Sequence, residues 1–448
     1  MQELKTLIAS YNAVHAALPW LDCYVSTLPV PFAGAPAVPP TDYVDLSGNE
    51  KFKLLIQTEH TFEEMAAFAE AEPEKIFIIA SGERKLLYHY VAIEELLVKY
   101  PNIYLANGNF CSTHGLERLI AAGAGKKLLY GSMAPFLDPG QAQGPVVLGH
   151  FDWETKCDIA GNNFRRLLGL PVVNVPEVTI PAIAPFIVDA HIHTKEAATP
   201  SRFPAPDSEA KWEQWESVMD EYFVEYIFNT PGEAIADTVK NPAHIVAGKM
   251  CEDSKGRARY FAFYDPRDVE GSLAVAEKSL PDPACIGLKI HPVENHIFAN
   301  DERYAPAFEI AGKYNKAIMS HTWGLSDYNP NQQYGTPELF DAHCRNYPET
   351  RFVLGHMGGR PNGFPEAVSM CRKYKNVYAD LAGDFFHNGV IQAGVKEIGA
   401  DRIIFASDIY WIDPRCMLGM VLGAKLSVED TWNILRANAF KVYLPNEQ

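Results

Sequence analysis

The residues whose types and spacing could do chemistry begin at Ile187–Thr194, which reads IVDAHIHT. A short apolar run precedes two histidines, His191 and His193, separated by one isoleucine. Alternation with period two puts both imidazoles on one face of a strand, where they can share an ion. Burying two imidazoles side by side is unfavourable unless a cation binds there. An isolated HxH also arises by chance on a half-exposed strand, so its weight depends on the rest of the chain. Downstream stand Lys289 and His291 in GLKIHP, His321 in SHTW, His356 in GHMGG and Asp408 in ASD, each closing a short β-rich run. Five of the nine histidines after residue 185 fall at such ends, although strand ends are a small part of the sequence.

Imidazole and carboxylate ligands together suit zinc, and also manganese or iron(II). Three histidines and one aspartate (His191, His193, His321 and Asp408) would hold a divalent ion and leave a position open for water, which such an ion acidifies toward neutral pH. Asp408, ligated weakly or only nearby, would accept that proton and pass it to a leaving group. Read alone, His321 is more often a core histidine, and Asp408 a helix N-cap. The shared order argues for the site. Two glycines after His356 bring the backbone close to something, which fits a histidine that polarises a substrate oxygen. Lys289 stays open between a carboxylated metal bridge, a partner for a substrate carboxylate and a buried ion pair, so the site can be mononuclear or binuclear. His291 points the same way as Lys289 but adjoins Pro292. Trp323, Tyr328, Arg360, Phe385, Phe386 and Trp411 follow strand ends and are candidates to line a substrate pocket. The two tryptophans also fit as rim packing and Arg360 as a solvated loop residue.

The elements that must position these residues are strands at Ile187–Ile192, Val224–Asn229, Arg259–Tyr264, Ile286–His291, Ala317–His321, Arg351–His356, Asn376–Leu381 and Arg402–Ser407. Helix-like stretches such as Pro337–Asn346 and Phe364–Lys373 lie between them. Alternating strands and helices of this number predict an α/β fold, a (β/α)8 TIM barrel, whose active site lies at the carboxyl ends of its strands. The front of the chain predicts strands at Phe52–Gln57, Lys75–Ala80, Asn102–Ala106 and Lys127–Gly131. The proline-rich segment Pro171–Pro185 marks the boundary, giving domains at 1–180 and 186–448.

The front repeats part of the back. KLLYGSMAPFLDP at 127–139 matches RIIFASDIYWIDP at 402–414, and Asn102 stands opposite Asn376. LDCYVS at 21–26 resembles VDAHIH. On this reading the front is a truncated, degenerate half-barrel. It offers Tyr24 and Ser26 for the two histidines, Gln57 for His321, Ser81 for His356 and Met133 for Asp408, so it is expected to be catalytically silent.

The charge of −17 over 448 residues argues against a nucleic-acid partner, which needs clustered Lys and Arg. The eight cysteines form no CxxC pair, which fits a reducing, cytoplasmic setting better than a disulfide framework. Residues 1–18 read as an amphipathic helix on Leu4, Leu7, Ile8, Tyr11 and Leu18. No apolar stretch reaches the roughly 18 residues of a membrane span. The expected partner is a small-molecule substrate; a homo-oligomer is left open.

The ordered set DAHIHT, GLKIHP, SHTW, GHMGG and ASD, closed by NILRANAFKVYL, resembles the amidohydrolase superfamily over Ile187–Leu444. The likeness is to its amidohydrolase-related group of metal-dependent hydrolases and non-oxidative decarboxylases. The resemblance implies a metal-dependent TIM barrel in which His191, His193, His321 and Asp408 match ligand positions and His356 the catalytic histidine. Decarboxylases of this group often carry Glu-x-His where this chain keeps both histidines. The expected activity is therefore hydrolysis of a small ester, lactone or amide, with decarboxylation of a small carboxylic acid as the alternative and a non-catalytic binding protein as a third reading. The extra front copy departs from the usual single-barrel plan and puts any inherited substrate in doubt.

Overall fold

Eight parallel strands succeed one another in chain order: β5 Ile187–Ile192, β6 Val224–Asn229, β7 Ala258–Phe263, β8 Cys285–Ile290, β9 Ala317–His321, β10 Phe352–Gly355, β11 Val377–Asp380 and β12 Ile403–Ile404. They are seen in a computed structural model that describes all residues except 33, 36–40, 83–85, 87–88, 194–211, 232–249, 410 and 448, together with the side chains of 213 and 214. Thr194 of the opening motif thus lies outside the described residues. The chain beyond β12 closes the ring on β5, with Ala190 N donating to Phe405 O at 3.2 Å and Asp408 N to His191 O at 3.0 Å. Each expected strand is present: Ile187–Ile192, Val224–Asn229 and Ala317–His321 keep their expected bounds, and the ends of the others shift by a few residues.

Period-two packing explains why functional side chains meet. Met319, Val353, Tyr378 and Ile404 join one buried cluster with Tyr443 of the last helix, whereas Ile318, Leu354 and Ala379 join another. Two residues beyond Met319 and Tyr378, on the same side of their strands, stand His321 and Asp380. A (β/α)8 barrel results, its polar strand ends gathered at one mouth.

A separate four-stranded parallel sheet, β1 Phe52–Ile56, β2 Ile76–Ala80, β3 Ile103–Ala106 and β4 Leu128–Leu129, precedes it. The helix Gln2–Ala17 buries Leu4, Leu7, Tyr11 and Val14. Residues 170–186 contain neither helix nor strand.

Several local devices occur in both sheets. Ser132 N donates to Asp22 at 3.1 Å as Ser407 N donates to Asp189 at 3.0 Å, and each serine hydroxyl bonds the second carboxylate oxygen. The Asn163 side chain caps Gly125 O and Leu128 O as Asn438 caps Ala400 O and Ile403 O. Each of these asparagines directly succeeds a single π-helical turn, Asp158–Asn162 and Asn433–Ala437. One expectation needs correction: Ile56 pairs with Ala80 as His321 pairs with Gly355. With Ala80 aligned on Gly355, Ile56 and not Gln57 takes the place of His321, because pairing register rather than an ungapped alignment decides which side a residue faces.

The two sheets are joined by a tight seam. Helices Gly140–Val147 and Pro414–Gly423 cross so closely that a Cβ on Gly144 would lie 2.0 Å from Arg415 O, and one on Gly419 would lie 2.3 Å from Gly140 O. Asp138 N donates to Phe386 O and Asp413 N to Cys111 O, both at 2.8 Å. Arg415, 1% exposed, bonds both Glu117 and Asp413.

Candidate metal centre

Ligand atoms of His191, His193 and Asp408 lie within 4.8 Å of one another, and all three residues are buried. Their hydrogen bonds fix the tautomers. Asp380 Oδ2 lies 3.1 Å from His191 Nδ1; a carboxylate only accepts, so Nδ1 carries the proton and Nε2 the lone pair. His193 Nδ1 donates to Thr230 O at 2.9 Å, while the Thr230 hydroxyl donates to Ile192 O. In its neutral form His193 thus presents an Nε2 lone pair, which faces Asp408 Oδ1 at 3.2 Å. Two acceptors pointed at each other in a buried site call for a cation between them. Asp408 Oδ1 otherwise lacks a hydrogen-bond partner.

Electrostatics agree. Burial holds the His191, His291 and His321 imidazoles well below their ordinary pKa, and His356 at about 4. All four are neutral at pH 7, as ligation requires. Burial pushes Asp408 up, but His193, His356 and His191 outweigh it, and the carboxylate sits well below its usual range. Lys289, fully buried, lies 2.8 Å from His191 Nε2; burial lowers it to about 8 against the opposing pull of Asp380 and Asp408. The donor set thus fits a divalent ion.

The remaining candidates are placed unevenly. His321 does not join the three-residue cluster: its Nδ1 lies 3.0 Å from His356 Nε2, and its Nε2 lies 3.0 Å from Gln332 Oε1. His291 stacks on His321 at 4.4 Å and accepts from Glu294 N, capping a short helix. His356 and Asp408 both have positive φ, 67° each, a backbone state rare outside glycine and concentrated at functional sites. Asp408 caps no helix; that task falls to Asp413. A cavity of about 460 Å3 opens over the cluster, lined by Lys289, His291, His321, His356, Trp323, Tyr328, Arg360 and Trp411. Arg360 stacks 4.7 Å over Trp323 and bonds Asp384 at 3.1 Å, so it is not a free solvated arginine. Phe385 and Phe386 do not line the cavity; both are buried, and Phe385 packs on Phe32 at the seam.

Asp380 went unnoticed in the sequence. Its Oδ1 accepts from His356 N at 2.7 Å and from Ala382 N at 3.1 Å, while Oδ2 orients His191. The available signal was an acid closing the seventh strand, in YADLAG. Gln332 and Thr230 have no sequence signal, since each acts through a loop folded back on a histidine.

Among solved structures, the chain is similar to 2,6-dihydroxybenzoate decarboxylase from Rhizobium (16% identity, 58% of this chain and 99% of that one, TM-score 0.46). It is also similar to 5-carboxyvanillate decarboxylase from Sphingomonas paucimobilis (16%, 58% and 99%, 0.45). A third is a probable 2-pyrone-4,6-dicarboxylic acid hydrolase from Acinetobacter baumannii (13%, 57% and 98%, 0.42). No curated protein matches by sequence. The family model described as amidohydrolase matches residues 188–444, more than half of the chain and the whole barrel from β5 to the last helix. The chain belongs to the amidohydrolase family of enzymes.

Proposed function

We propose that the protein is a metal-dependent hydrolase of a small carboxylic ester, lactone or amide. Residues 186–448 form its catalytic domain, and residues 1–180 a degenerate repeat of that domain without a metal site. The reading rests above all on the facing lone pairs of His193 Nε2 and Asp408 Oδ1, 3.2 Å apart. His191, His193 and Asp408 would hold the ion, zinc best matching two imidazoles and one carboxylate and manganese or iron being the alternatives. His321 completes the set by exchanging its bond to His356. A bound divalent ion supplies polarisation of a carbonyl and acidification of water.

The chain's own residues do the rest. Asp408, ionised at neutral pH, accepts a proton and returns it to the leaving group. Asp380 and Thr230 keep the two imidazoles in the tautomer that presents Nε2. His356, neutral, donates to or accepts from a substrate oxygen through Nε2 once that nitrogen parts from His321. Trp323, Arg360, Trp411 and His291 line the cavity and hold the substrate body.

Lys289 favours a second reading. A buried amine with a pKa of about 8 is a counter-charge for a substrate carboxylate, which suits loss of carbon dioxide on the same site. Turnover in heavy-oxygen water distinguishes the two: label in the product acid supports hydrolysis, whereas unlabelled product with released carbon dioxide overturns it.

A further inference from the structure

The cavity over the metal centre is not built by the barrel alone. Gln57 and His89, from the four-stranded module, line it together with His191, His193 and Asp408. Alternation along β1 explains how. Ile56 faces the module's own cavity of about 590 Å3, lined by Tyr24, Ser26 and Met133, and the next residue, Gln57, faces away from it. Gln57 N donates to Ala80 O at 3.0 Å, so the ladder holds the residue in place. Its side-chain amide makes no hydrogen bond to another described residue. His89 rests its ring on Phe62 at 5.1 Å. The cavity thus runs from a fully buried His191 to these two half-buried side chains. The seam of crossing glycines and the buried Arg415–Glu117 pair fixes this edge relative to the barrel.

We propose that Gln57 and His89 are specificity-determining residues of the barrel's site, binding an oxygen-bearing group of the substrate at the outer edge of the cavity while its reacting carbonyl lies at the metal centre. The proposal deepens the hydrolase reading and rests on its choice of site. The substrate class implied is a small, flat molecule with two oxygen functions: the half-exposed ring of Trp411 offers a surface to its body, and the amide of Gln57 and the imidazole of His89 line the edge where its second function lies. A barrel without the front module would lack this second contact.

Calorimetric titration of the metal-supplemented full-length protein with benzoate and with isophthalate measures that contact directly. Isophthalate should bind at least about tenfold more tightly than benzoate, the increment of one good hydrogen-bonded carboxylate. In Gln57→Leu/His89→Leu the two affinities should converge to within about twofold, with benzoate binding unchanged. Gln57→Glu, which keeps size and fold, should also abolish the preference by like-charge repulsion. Equal affinities in the unaltered protein, isophthalate failing to bind, or a preference that survives in either variant would overturn the proposal. Failure of the hydrolase reading would show instead as absent metal or absent heavy-oxygen label, neither of which enters this affinity ratio.

Discussion

The four-stranded sheet and the barrel carry the same fixtures with different chemistry. In both, a buried aspartate, Asp22 or Asp189, clamps a serine of the last strand's loop. In both, an asparagine after a π-helical turn ties down a helix. At the barrel's mouth they part: where the barrel has His191, His193 and Asp408, the sequence alignment gives the front module Tyr24, Ser26 and Met133. Met133 keeps the left-handed backbone of Asp408, with φ 57° against 67°. Backbone-directed polar contacts hold the architecture, and a handful of side chains at the mouth form the proposed site, so the two can vary separately.

The sharpest way to break this comparison is to exchange roles at the strand ends. His193→Ala or Asp408→Asn should abolish stoichiometric metal by elemental analysis and lower turnover at least about a thousandfold. Ser26→Ala and Met133→Ala should leave both unchanged. If Met133→Ala removed metal, the front sheet would not be silent. The seam comes next: Glu117→Ala leaves Arg415, a buried cation, with Asp413 as its one remaining acid among the described residues and should cost about 1–3 kcal/mol of stability by denaturant titration. A loss under about 1 kcal/mol would mean that the modules do not lean on each other there. Asp380→Asn, which leaves the ligands intact, should weaken metal affinity about 10–100-fold, and unchanged affinity would demote Asp380 to a backbone brace.

The smallest effect concerns Asp22. Burial raises its pKa from 3.8 to about 7, against the lowering effect of its bonds to Ser132 and Tyr24. A raised carboxyl pKa means that the folded state holds the proton more tightly than the unfolded one. Its contribution is present in full below about pH 4 and is lost as pH rises to about 7. Asp22→Asn should therefore flatten the fall in melting temperature across that window, and a slope identical to that of the unaltered protein would contradict it.

Much of this was legible in the sequence because strand-end chemistry is local. HxH, GLKIHP and ASD each announce a strand and its terminal side chain within six residues, so eight strands and most of the cavity could be placed. What escaped depends on pairing between distant segments. The Ile56 assignment needed the β1–β2 register, since a one-residue slip turns a side chain to the other face. Phe385 and Phe386 come after a strand end as Trp323 does, yet the front module covers them, and no spacing rule contains that neighbour. Asp380 looks like any strand-terminal acid until the backbone of His356 is seen to approach it.

The crossing of Gly140, Gly144 and Gly419 gives the molecule a particular vulnerability. One extra methyl at Gly144 would wedge apart two main chains that now touch, and because Gln57 and His89 belong to the module on one side of that junction and the histidines of the cavity to the other, the wedge would be felt as an altered mouth far from where it was driven in. Two modules bound this closely cannot shift independently; each is obliged to keep the other's outline.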